Sequence, residues 1–98
     1  MKLGVFVSDY KITVDTLQRL KAEKLGIILV ANGVYHALIK ENGKNSSILD
    51  LSENLYALSE DVETRGYSTS DLNDKVKAIT YNDLVDIIFN DYEKLAWL

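Results

Sequence analysis

Apolar residues along the chain fall into short unbroken runs, separated by segments in which they recur every three or four positions. The runs are Leu3 to Val7, Ile27 to Ala31, Leu55 to Leu58 and, with one lysine inside it, Val76 to Ile79. They are rich in β-branched and aromatic residues and show little alternation. Such runs read as strands covered on both faces, the condition of a parallel sheet. Ser8 and Asp9, both turn formers, stop the first of them.

Between the runs the period changes. Val14, Leu17 and Leu20 are spaced by three, with Gln18, Arg19, Lys21, Glu23 and Lys24 on the other faces. This predicts an amphipathic helix starting at Thr13, its N-cap, and stopping at Gly26. The run Ile27 to Ala31 feeds Asn32-Gly33 and then a helix with Val34, Ala37 and Leu38 inward, ending near Asn42-Gly43. Asn32 is the expected cap of that helix, and Gly33 permits a tight turn. Ser46-Ser47 before Ile48, Leu49 and Leu51 reads as a short helix or an ordered loop, the helix being the better reading. Another is expected from a Ser59 cap, with Glu60, Asp61 and Glu63 in front and Arg65 and Gly66 at its end, a charge order that complements the helix dipole. Residues 67–74 are polar and read as a loop with one helical turn. The helix Asn82 to Asp91 carries Leu84, Val85, Ile88 and Phe89 as its apolar stripe. Leu95 to Leu98 closes the pattern as a last short strand or a docked tail.

Strands alternating with helices give an α/β fold, a mostly parallel sheet of four to five strands. Right-handed crossovers place helices on both of its faces. The 98 residues suit one domain, 1–98, with a single core.

Composition narrows the chemistry. Hydrophobic residues make up 47% and charged residues 27%, an ordinary globular balance, and the formal net charge is −4. That charge argues against direct nucleic-acid binding, which wants clustered Lys and Arg. No cysteine is present, so the chain can supply no disulfide, thiolate metal site or cysteine nucleophile. No signal-peptide pattern and no long apolar run are evident, and the expected location is cytoplasmic, with no membrane contact.

The turn Ala31 to Tyr35 sits at the carboxyl end of a strand, where open α/β sheets bind ligands. The glycine patterns of nucleotide-binding loops are missing, and a plain tight turn is the better reading. His36 is the one histidine. Alone it builds no usual metal site, and Ser46 and Ser47 lack the context of a nucleophile. Its place on a helix after Tyr35 suggests an exposed or interfacial residue. The acids of the 60–63 segment, and Asp83 and Asp86, are explained by their positions at helix starts. No catalytic residue, cofactor or metal is expected. Six tyrosines and one tryptophan, many of them at strand ends or turns, point to an oligomer.

The order Asn32 to Tyr35, Tyr56 to Leu58, Glu60 to Ser68, Ile79 to Tyr81 with Leu84 to Asp86, and a terminal Ala96-Trp97-Leu98 resembles the DsrH/TusB family. The similarity runs from the first strand to the last residue, and Arg65-Gly66 with Trp97-Leu98 is its most telling combination. The resemblance implies a DsrE-like fold, a three-layer arrangement of the flavodoxin or Rossmann kind, with the Ile27 strand central. It implies a subunit of a persulfide-transfer complex, assembled with DsrE- and DsrF-like (TusD- and TusC-like) partners. Such complexes act in 2-thiolation of the tRNA wobble uridine or in sulfur oxidation. Some members carry a cysteine on the first helix; the matching position here is Leu17. Persulfide relay needs a thiolate, so the expectation is a non-catalytic, structural subunit. Tyr35, His36, Trp97 and Leu98 are the candidate interface residues. The alternative is a self-associating binding module of the same fold with no sulfur-transfer role.

Overall fold

The computed structural model describes residues 1–11, 23–40 and 43–98. The helix expected from Thr13, with Leu17 on it, lies outside those residues. Five strands form one sheet: β1 (Lys2–Val7), β2 (Lys24–Leu29), β3 (Asn54–Leu58), β4 (Val76–Ile79) and β5 (Lys94–Trp97). Their order is β4-β3-β2-β1-β5, and every neighbouring pair is parallel. The closing Leu95 segment is therefore a strand, and it pairs with β1, Phe6 opposite Trp97. The Ile27 strand lies at the centre, as the resemblance implied.

A 3-10 turn, Ala31–Val34, leads into α1 (Tyr35–Leu38). The remaining helices are α2 (Ser59–Thr64) and α3 (Tyr81–Asp91), with 3-10 turns at Ser47–Asp50 and Thr69–Asp71. From β1 to β4 each strand is laid down beside the last in one direction, and the connection to β5 then returns past three strands. With right-handed crossovers, that reversal puts α3 on the face opposite the earlier connections. The packing agrees. Val34, Ala37, Ile48, Leu49 and Val62 bury against Val5, Val7, Ile27, Leu29 and Ala57 on one face. On the other, Leu84, Ile87 and Ile88 of α3 pack on Phe6, Ile28, Val30, Leu58 and Ile79.

Several expectations need correction. Gly26 does not stop a helix; it lies inside β2, in register with Gly4 of β1. A Cβ on Gly26 would fall 2.0 Å from the Tyr92 hydroxyl oxygen and 2.3 Å from its Cζ, so the glycine is the space into which Tyr92 packs. Helix α1 ends at Leu38, with Ile39 extended. The Ala37 carbonyl is taken by the Asn73 amide at 2.9 Å, which ties this end to the lead-in of β4. Ser59 does not cap α2; its hydroxyl donates to Glu60 Oε1 at 3.0 Å. In α3 the buried side is Leu84, Ile87 and Ile88, whereas Val85 and Phe89, expected inside, face solvent.

The helix ends follow local chemistry. Thr80 and Asp83 form a reciprocal capping box at the start of α3. After α2 the amide of Gly66 bonds the Glu63 carbonyl and that of Tyr67 bonds the Val62 carbonyl. This is the Schellman pattern, and it needs the left-handed φ of +83° that Gly66 adopts.

Candidate functional site

The turn after β2 is where sequence placed the strongest ligand-site geometry, and its contacts show what fills it. The Ala31 amide donates to Asp61 Oδ2 at 2.7 Å, so a carboxylate of the fold occupies the position an anion would take. Asn32 caps nothing. Its side-chain oxygen accepts from Arg65 Nε at 3.1 Å and Nη2 at 3.0 Å, while Arg65 Nη1 donates to the Asp61 carbonyl at 3.0 Å. Gly33 presses on the end of β1, where a Cβ would come 1.9 Å from the Val7 carbonyl oxygen. The turn is thereby clamped between α2 and β1, with Ala31 held at a φ of 48°. Arg65 also lies over the Tyr35 ring at 6.0 Å, and Tyr35 meets Tyr67 edge-on at 6.2 Å. Cation, amide and two phenols line one edge of the turn.

His36 does not present itself to solvent; it is 6% exposed. Its Nε2 faces the Asp9 carbonyl at 3.1 Å, and its Nδ1 lies 2.7 Å from Ser46 Oγ. A carbonyl only accepts, so Nε2 carries the proton, and in the neutral ring Nδ1 accepts from the Ser46 hydroxyl. The Tyr10 ring lies tilted beside the imidazole, with centroids 4.9 Å apart. The Ser46 oxygen also accepts from the Ile48 amide at 3.4 Å. A serine beside a histidine is half of a hydrolytic arrangement, and among the described residues Nε2 faces a backbone carbonyl, where a triad has a carboxylate. What the contacts accomplish is a tie between the exit of β1, α1 and the 46–50 turn.

Of the other expected residues, Trp97 is 65% exposed and stacks on Phe6 with centroids 4.9 Å apart. Leu98 is half-buried, its amide bonded to the Phe6 carbonyl and its carbonyl accepting from the Ser8 hydroxyl at 3.0 Å. Tyr35 is half-buried. These four residues are spread over two regions, the α1 edge and the β5 edge. The acids play local parts: Glu60 accepts from the Tyr81 amide at 3.3 Å, joining the starts of α2 and α3. Its own backbone amide, first, then Tyr81 and Ser59, hold its carboxyl below the ordinary value of 4.5, against residual desolvation and Asp83. Among the described residues no three His, Cys, Asp or Glu side chains converge as a metal site.

Two residues have structural roles that the sequence does not show. Arg65 reads as a helix-end charge and as part of the family resemblance, yet it also ties α2 to the β2 turn. Tyr92 is buried across Gly4 and Gly26, with Lys24 Nζ 5.1 Å from its ring centre. Burial, first, and the nearby Tyr56 hydroxyl push its phenol well above the usual tyrosine range. Its hydroxyl has no partner in hydrogen-bonding geometry among the described residues. The pair of glycines in adjacent strands was the available signal. At the amino edge of the sheet an open cleft of about 730 Å³ is walled by Lys24, Leu25, Asp50, Ser52, Asn54 and Lys75. Its polar groups bond one another: Lys75 pairs with Asp50 at 3.3 Å, and Ser52 and Asn54 both donate to the Leu25 carbonyl. No described helix is long and apolar enough to cross a membrane.

Comparison with known proteins identifies the lineage of this clamped, thiol-free α/β chain. It is 32% identical to Protein TusB of Photorhabdus laumondii subsp. laumondii over 92% of its own length and 93% of the relative's. It is 33% identical to Protein TusB of Pectobacterium atrosepticum over the same shares. The solution NMR structure of Protein Tm0979 from Thermotoga maritima superposes with a TM-score of 0.60 at 28% identity, covering 90% of this chain and 93% of that one. The pattern described as DsrH like protein matches residues 7–93. With that pattern running from the end of β1 to the residue before β5, the chain belongs to the DsrH family.

Proposed function

We propose that this chain is a non-carrier subunit of a sulfur-relay complex, one domain over residues 1–98 that acts in the cytoplasm beside DsrE- and DsrF-like (TusD- and TusC-like) subunits. The observation that carries the reading is a member of the DsrH family without a single cysteine. Persulfide transfer moves a terminal sulfur from one thiolate to another, and this chain offers no thiolate at either end of such a step. Its contribution is then to complete or position a partner that carries the sulfur. The turn after β2 supports that role: its anion position is filled by Asp61, and Arg65 ties its Asn32 to α2. The relatives named TusB favour 2-thiolation of the tRNA wobble uridine over sulfur oxidation as the pathway served. With a net charge of −4, contact with the tRNA itself falls to other subunits.

Among the interface candidates, Trp97 presents the largest surface and the half-buried Tyr35 and Leu98 smaller ones, while His36 acts from inside the fold, holding the elements around it. Two measurements test the reading. Deleting the gene in its native cell should lower 2-thiouridine in tRNA, and the cysteine-free chain should restore it. Affinity purification of the chain should recover a DsrE-like protein. Unchanged thiolation together with a homomeric native mass and no DsrE-like protein would favour the self-associating binding module instead.

A further inference from the structure

Helix α3 is apolar on two sides. Leu84, Ile87 and Ile88 bury against the sheet, which is all that packing requires of an amphipathic helix. Yet Tyr81, Val85 and Phe89, at i, i+4 and i+8, form a second stripe that is 55%, 50% and 80% exposed. Trp97, 65% exposed, opens on the same face of the sheet, since its register partner Phe6 belongs to the cluster that α3 covers. One face of its indole is fixed on Phe6, so little side-chain freedom remains to be lost when the other face is covered. Exposed aromatics held this way are the usual anchors of a protein interface.

Charge selects the occupant. Between Lys77 and Lys94 there is no basic residue, while Asp83, Asp86, Asp91 and Glu93 fall in that interval. Asp83 serves the capping box, and Asp86 is exposed on α3 beside the stripe. A second copy docked stripe to stripe would set one acidic helix against another, which is unfavourable when like charges are brought together out of water. We propose that Tyr81, Val85, Phe89 and Trp97 receive a different chain, one whose apolar seat is rimmed by lysine or arginine. This deepens the subunit reading and rests on it.

The test is co-expression with the DsrE-like and DsrF-like chains of the same genome, followed by native mass measurement and affinity determination. Expected results are a monomer when this chain is alone, a complex with those partners, and weakening by roughly tenfold or more in the double variant Val85→Ala/Phe89→Ala. Asp86→Lys should also weaken the complex, with a smaller salt dependence than the wild type. All three positions are exposed, so unchanged thermal unfolding of the free variants separates lost contact from lost fold. If the complex forms and both variants bind as the wild type does, this surface is not the seat, and the inference fails while the subunit reading stands. A dimer of the chain alone that Val85→Ala/Phe89→Ala disrupts overturns it in favour of a second copy. No complex of the wild type with either partner removes the subunit reading itself, and the inference with it.

Discussion

Tyr92 owes its position to two absences. Gly4 and Gly26 sit side by side in β1 and β2, and the ring lies across both, leaving the phenol 8% exposed. Gly26→Ala must therefore displace the ring, and should cost about 1–3 kcal/mol in chemical denaturation, as overpacked cores do. Tyr92→Phe removes a buried hydroxyl with no partner in hydrogen-bonding geometry among the described residues, so its cost should stay below about 1 kcal/mol. In the Gly26→Ala background the same change should recover part of the loss, because the hydroxyl is the atom nearest the new methyl. Glu60 makes a pH-dependent contribution. Its carboxyl titrates below 4.5 in the folded chain, so its stabilisation is present above that value and is lost as pH falls through the folded-state value. Thermal unfolding of Glu60→Gln should accordingly differ from the wild type at neutral pH, and the difference should close on the acid side of 4.5.

At the scale of elements, local chemistry was readable and orientation was not. The strands at Leu55 to Leu58 and Val76 to Ile79 and the left-handed Gly66 all stand where apolar runs and turn residues placed them. Helix α3 was located, but its apolar residues fit two stripes that share a flank, Leu84 with Ile88 and Val85 with Phe89. Only the sheet beneath it decides that Ile87 joins the first pair and that the second faces outward. Asn32 misled for a similar reason. Its oxygen suits a cap, but Arg65, 33 residues away, offers two donors, and a contact of that range leaves no trace in local pattern. Gly66→Ala tests the element most directly. Nothing crowds a Cβ there, so the left-handed backbone alone should cost about 1–2 kcal/mol in denaturant titration.

For the whole molecule, the sheet depends on β5. It supplies the second neighbour of β1, through pairs from Leu3 with Lys94 to Phe6 with Trp97, and Tyr92 just before it covers the glycines. Truncation after Asp91 should remove a cooperative thermal transition, because a domain of this size has only a few kcal/mol of stability to lose. Sequence could place this segment as a strand or a docked tail, but not beside the first strand, since parallel pairing at such separation depends on the completed crossover.

The strand order also has a consequence for how the protein is made. Of the five strands β1 leaves the ribosome first and β5 last, yet the two are neighbours in the sheet. Until translation has passed Trp97, β1 has one open edge and Gly4 and Gly26 have no ring across them. The native sheet therefore closes only after synthesis of its final strand, and the surface containing Trp97 comes into being at that same moment. Pairing with another subunit through that surface cannot precede the synthesis of β5, and a chain lacking that strand would be excluded from the assembly by its own topology.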